Sequence, residues 1–382
     1  MAKILILGGG FGGLAAADEL RRALPDAEVV LVDRRDHFFM GFAKLWDLAG
    51  VRPLAGGTVP LGQLADRGVR FVQAEISSID AEARRVETSA GTFQADALLV
   101  ALGAAVPPAH RDLVGGPGAF NLYDAGQLPA IRGALDEIDE GGVLVAVLGV
   151  PLKCPPAPFE AALIVGDLLR QRGVRDRVRV AVATPQPMTM PVAGREASQY
   201  VAGQLASRGI ELLTQHAVLR VDGERRIVYF GDDSEFAYRV LLGVPAAVPP
   251  PVIRESALAA ASGWIEPDRH SLRTSFDRVY AVGDCTVVRT ATFPIPKAGV
   301  YAAAEGEVAA RNIMRDLLGT GAEASFDGQG ACFLELPGKS VALVEGNFFA
   351  EPEPQVHVGE ATQANFRAKQ EYEQARLAAW LG

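Results

Sequence analysis

Residues 3–39 read KILILGGGFGGLAAADELRRALPDAEVVLVDRRDHFF: an apolar run, a glycine cluster, an Ala/Leu-rich stretch and a second apolar run. Strand, turn, helix and strand in that order make a βαβ unit, whose two strands lie parallel. Gly8, Gly10 and Gly13 occupy the turn with the spacing GxGxxG. In a dinucleotide site the first glycine makes the tight turn and the second lets a pyrophosphate touch the backbone. The third lets the helix lie against the sheet. The helix then presents its positive N-terminus to the phosphates. Asp33 closes the second strand about 20 residues further on, where a carboxylate can accept hydrogen bonds from a ribose. Phe11, Gly12 and Arg34 fall on the same turn and strand end and join the candidate cofactor set. With all four features in register, a purely structural glycine turn is the weaker reading.

Outward from this unit, strand and helix signals alternate as far as about residue 315, the pattern of an α/β chain with parallel sheets. A second strand–turn–helix–strand runs from Val143 to Ala183. Residues 217–242 look antiparallel, with a turn at FGDDS, and the tail reads as a hairpin followed by a helix, QANFRAKQEYEQARLAAWLG. The expected fold is α/β, with two Rossmann-like three-layer domains, one inserted in the other, and a small C-terminal α+β domain. The divisions fall at 1–104 with 240–318, 105–239, and 319–382.

Composition narrows the partners. A net charge of −9 argues against nucleic acid, which is bound through basic patches. No apolar run reaches the ~18 residues that span a bilayer. Met1 and Lys3 lead straight into the first strand, so no secretory leader is read and a cytoplasmic location is expected. Three scattered cysteines exclude a disulfide scaffold, and five histidines without ligand spacing give no metal site.

The second turn reads GVPLKCPPAPFE, residues 149–160. Only Gly149 remains of a glycine fingerprint, and the partner strand ends in Thr184 and Pro185 with no acid for a ribose. Nicotinamide binding in the usual pose is therefore not expected there. In its place stands Cys154, followed six residues later by Glu160. Lys153 and the helix N-terminus beside Cys154 are expected to favour its thiolate. Glu160 lies where it could move protons, or simply complement the helix dipole.

RVYAVGDCT, residues 278–286, resembles the second FAD motif of flavoproteins with two dinucleotide-binding domains. ADALLVALGA, residues 95–104, is similar to the strand that returns beside their FAD. By that resemblance the cofactor is non-covalent FAD, Asp284 holds its ribityl chain, and Gly283, Ala101 and Gly103 line the site. The helix after PKAG would aim its N-terminus at the flavin, with Lys297 and Ala298 beside it. KCPPAPFEAALIV and GQGACFLEL narrow the resemblance to the sulfide:quinone oxidoreductase and flavocytochrome c sulfide dehydrogenase family. The activity implied is FAD-dependent oxidation of sulfide or a related sulfur species by a redox pair, Cys154 and Cys332. Cys332 would be the thiol nearer the flavin and Cys154 the persulfide carrier, with Glu160 and Lys297 completing the catalytic set. Cys285, next to Asp284, reads as packing.

The electrons would pass to a quinone. A cytochrome acceptor is the alternative, disfavoured because DHFFMGFAKLWDLAG holds no cysteine for covalent FAD. Other readings are a type II NADH:quinone dehydrogenase and a non-enzymatic FAD redox sensor. Asn121 stands where many relatives carry a third redox cysteine. Phe366, Tyr372, Leu377, Trp380 and Leu381 in the last helix form a stripe that either lies on a membrane surface or packs on the protein or on a second copy in a homodimer. Phe348 and Phe349 are candidates to line an acceptor pocket.

Overall fold

The structure, a computed structural model, describes residues 2–382. Two five-stranded parallel sheets organise it. In the first, the strand order is Val279–Ala281, Ala97–Val100, Lys3–Leu7, Glu28–Asp33 and Arg70–Gln73. In the second it is Ala119–Asn121, Val240–Val244, Gly141–Val147, Val178–Thr184 and Glu211–Thr214. Ile4–Leu7 and Gly142–Val147 are buried without alternation, because helices and loops cover both faces of each sheet.

Four strands of the two sheets repeat in the same order, while the edge strand beside the return strand comes last in the first sheet (Val279–Ala281) and first in the second (Ala119–Asn121). Each sheet is interrupted before its return strand by a three-stranded antiparallel sheet, residues 76–94 in one and 218–237 in the other. Val240–Val244 is thus the counterpart of Ala97–Val100 and pairs with Gly141–Val147. The expected division at residue 240 cuts the second sheet one strand short. The inserted segment runs past Val244, and the chain returns to the first sheet only at Val279.

The Gly299–Leu318 helix crosses the Phe11–Ala23 helix at close range. A Cβ on Gly306 would stand 2.2 Å from the Gly12 carbonyl oxygen, so only glycine permits this approach. The C-terminal strands Gln329–Leu336, Ser340–Asn347 and Gln355–Val358 form an antiparallel sheet, and the Gln363–Leu381 helix folds back beside it. Phe366, Trp380 and Leu381 are buried in the first domain's core, where Trp380 meets Phe11 edge-on with ring centroids 5.9 Å apart. Side chains of this kind stabilise by about 1.5–3 kcal/mol each when buried. Leu377 packs on the same core and Tyr372 on Phe333. Packing on the protein takes up Phe366, Trp380 and Leu381, while Tyr372 and Leu377 are half-buried. Among the described residues no helix is long and apolar enough to cross a membrane.

Candidate functional site

A cleft of about 640 Å³ runs between the two domains and under the C-terminal sheet. Its first part is built by the glycine turn. Gly8 has φ +108°, and a Cβ there would stand 2.3 Å from the Ala101 carbonyl oxygen. A Cβ on Gly13 would meet the Gly8 oxygen at 1.9 Å. Gly10 has nothing within 4 Å on its side-chain side and opens on the cleft, as backbone meant to touch a phosphate must. Asp33 accepts from the Gly9 N–H at 2.7 Å and from the Arg35 N–H at 2.8 Å, with the Arg35 guanidinium 3.2 Å away. Burial alone would raise its pKa, but Arg35 and the two backbone donors hold the carboxyl below its ordinary value. Phe11, Gly12, Arg34, Ala101 and Gly103 all line the cleft, so the residues present fit an FAD.

Gly283 and Asp284 follow the Val279–Ala281 strand on the same wall, with Ala298 close by. The Gly283 N–H donates to Glu305 Oε2 at 2.6 Å, and burial lifts the Glu305 carboxyl to about 7. Lys297 lines the cleft, but its ammonium is engaged elsewhere. Nζ donates to the Asp284 and Thr286 carbonyls at 2.8 and 2.9 Å and lies 3.7 Å from the centroid of the Trp264 ring. Its backbone does a second job, since the Lys297 carbonyl accepts the Cys154 N–H at 2.7 Å and ties the second domain's turn to this wall.

The far part of the cleft holds Cys154 and Cys332 together with Glu160 and Tyr301. Cys154 has φ 50°, a left-handed conformation uncommon for a side chain this size, which sets the direction of its thiol. The Tyr123 hydroxyl holds that turn, donating to the Lys153 carbonyl at 2.5 Å. Both thiols are free, and the Tyr301 hydroxyl faces the Cys332 sulfur. Burial, with Glu160 nearby, pushes the Cys332 thiol up to about 12 and drives Cys154 up further. Burial therefore outweighs the expected activation of Cys154. Lys153 does not assist either: its charged neighbours are Asp284, Arg35 and Lys44, and it has no resolved effect on the Cys154 thiol. Cys285 is fully buried, its Sγ 3.2 Å from the Val282 carbonyl oxygen.

Glu160 belongs to a buried charged cluster that spacing alone did not reveal. Its Oε1 accepts the Glu335 N–H at 2.6 Å, while the Glu335 carboxylate pairs with Lys369 Nζ at 2.6 Å. Lys369 and Glu335 are 1% and 3% exposed, and the Lys369 ammonium also lies over the Phe42 ring. Burial raises the Glu160 carboxyl to about 7, against the opposing pull of Lys369 and the Glu335 N–H. A carboxyl near 7 can take or give a proton at neutral pH. Lys44 also lines the cleft, donates to the Tyr123 carbonyl at 2.9 Å, and is lowered by burial to about 8. Of the two phenylalanines expected at an acceptor pocket, Phe348 lines the cleft and Phe349 packs against Phe326 and His270.

Two Rossmann-like sheets, a cleft that opens on the glycine turn and a thiol pair along the same cleft are the features of a flavin-dependent oxidoreductase. The chain belongs to the pyridine nucleotide-disulphide oxidoreductase family, whose model matches residues 2–137 and 159–306. Cys154 lies in the gap between the matched segments and Cys332 beyond the second. Among curated relatives, the mitochondrial sulfide:quinone oxidoreductase of Mus musculus is 22% identical, covering 92% of this chain and 79% of its own. A type II NADH:quinone oxidoreductase of Staphylococcus aureus is 25% identical over 84% of each. Among solved structures, the sulfide:quinone oxidoreductase of Aquifex aeolicus superposes with a TM-score of 0.85 at 21% identity, covering 98% of this chain and 90% of that one.

Proposed function

We propose that this flavoprotein oxidises sulfide, or a related sulfur species, through Cys154 and Cys332 and delivers the electrons to a quinone. The observation that carries the reading is the meeting of both cysteines, from segments far apart in sequence, at the far end of the cofactor cleft beside Glu160. The names of the mouse and Aquifex relatives agree with it, and the Staphylococcus relative also names a quinone.

In the oxidised pair, the Cys154–Cys332 disulfide is the electrophile. Hydrosulfide attacks one sulfur, the S–S bond breaks, and a persulfide forms on Cys154 while Cys332 leaves as thiolate. FAD, when bound, supplies the two-electron acceptor that links this dithiol chemistry to the quinone. Desolvation of the half-buried cysteines disfavours a lone thiolate, so the departing Cys332 sulfur is expected to take up a proton as it leaves. Glu160 is the group placed to take the hydrosulfide proton, and the Glu335 N–H fixes its orientation. The Tyr301 hydroxyl steadies the Cys332 sulfur as charge develops there.

The test is anaerobic addition of sulfide to the holoprotein, with flavin absorbance followed before and after a soluble quinone. Bleaching by sulfide and recovery with quinone are expected, and flavin that stays oxidised in excess sulfide sinks the proposal. Thiosulfate, polysulfide and small thiols run in parallel identify the sulfur species.

A further inference from the structure

We propose that Lys153 is a cofactor ligand, its ammonium holding the FAD pyrophosphate from the second domain's side of the cleft. Adjacent residues of the second turn project into different parts of the cleft. Cys154 has Glu160, Cys332 and Lys369 as charged neighbours and Lys153 has Asp284 and Arg35, while Lys44 is near both. Arg35 marks the ribose end of the cofactor site through its pairing with Asp33, and Asp284 marks the end of the Val279–Ala281 strand. Gly10 opens on the same cleft that Lys153 lines, at the N-terminus of the Phe11–Ala23 helix.

The charges support the assignment. A diphosphate brings negative charge that a helix N-terminus, equivalent to about half a positive charge, meets only in part. Arg35 is already paired with Asp33. Lys297 is bound to two carbonyls and Lys369 to Glu335, whereas only the backbone carbonyl of Lys153 is engaged among the described residues. An ammonium on the wall of a cofactor cleft, near the Asp284 carboxylate but hydrogen-bonded to no side chain among the described residues, is suited to a ligand anion.

Its backbone is held in place. The Lys153 carbonyl takes the Tyr123 hydroxyl, and the next N–H bonds to the Lys297 carbonyl. One short turn therefore couples cofactor binding to the position of the Cys154 thiol. The assignment rests on the FAD site and not on the sulfur chemistry, so either can fail alone.

The test uses full-length protein stripped of FAD and titrated with FAD, and separately with ADP, which keeps the diphosphate without the flavin. Lys153→Gln should weaken both ligands by about 10- to 100-fold, the scale of one charge-assisted hydrogen bond. Lys153→Arg should stay within a few-fold of the parent. Lys153→Ala serves as a second neutral variant, and thermal melting of each apoprotein checks its fold. Unchanged FAD affinity in a folded neutral variant overturns the proposal, and so does weaker FAD binding with ADP unaffected.

Discussion

The first and second turns of this chain occupy the same place in two copies of one four-strand order, yet they have diverged in opposite directions. The first keeps glycines where backbone must bend or come close: Gly8 at φ +108°, Gly13 against the Gly8 carbonyl, Gly10 open to the cleft. In the second, only Gly149 survives, and a Cβ there would stand 2.8 Å from the His110 ring, which occupies that side. The left-handed position of the second turn goes to Cys154. One turn offers backbone to a phosphate; the other offers a thiol to its neighbour across the cleft. On the proposed function, one copy of the duplicated fold holds the cofactor and the other has been turned to redox chemistry.

The sharpest way to break this comparison is at the sulfurs. Cys154→Ser or Cys332→Ser should slow flavin reduction by sulfide about 1,000-fold or more, the scale of losing a nucleophile, as followed by stopped-flow absorbance. FAD content should not change, because neither sulfur supports the glycine turn. Next in size is the buried ion pair. Lys369→Met leaves the Glu335 carboxylate unpaired in the interior and should cost about 3–5 kcal/mol in urea unfolding. Adding Glu335→Gln should recover a large part of that loss.

Glu160→Gln should lower the sulfide-dependent rate about 100-fold and remove an ionisation from its pH profile. With the carboxyl near 7, the parent should lose this base as pH falls through that value, and the variant should not. Stability moves the other way. A carboxyl raised from 4.5 to about 7 binds more protons folded than unfolded in that window, so its contribution declines as pH rises through it. Glu160→Gln should therefore gain stability over the parent above pH 7 and not at pH 4. The smallest effect is expected at Gly149→Ala, where the His110 ring, held by the Ala246 N–H at 3.0 Å, and the Ala246 methyl must both give way, at a cost of about 1–2 kcal/mol. Its FAD content should match the parent's.

Much of this was readable along the chain because a strand–turn–helix is contiguous. GGGFGG, VGDC and KCPPAPFE each carry their geometry in a few neighbouring residues. The antiparallel reading of 217–242 and the division at 240 missed that Val240–Val244 is a parallel strand of the second sheet, because its partner, Gly141–Val147, is remote in sequence. Glu335 and Lys369 gave no local signal. A glutamate in a hairpin and a lysine in a charged helix look solvated until tertiary folding brings them together. Lys153 shows a finer limit: spacing puts it beside Cys154, but its nearest opposite charge is Asp284 and not the Cys154 sulfur.

The central claim is that the second turn serves sulfur chemistry and not a nicotinamide. Its most direct test is a paired anaerobic reduction of the holoprotein, one sample receiving sulfide and the other NADH, with flavin absorbance recorded in both. The account predicts that sulfide bleaches the flavin and NADH does not. Bleaching by NADH, with sulfide inert, would contradict it.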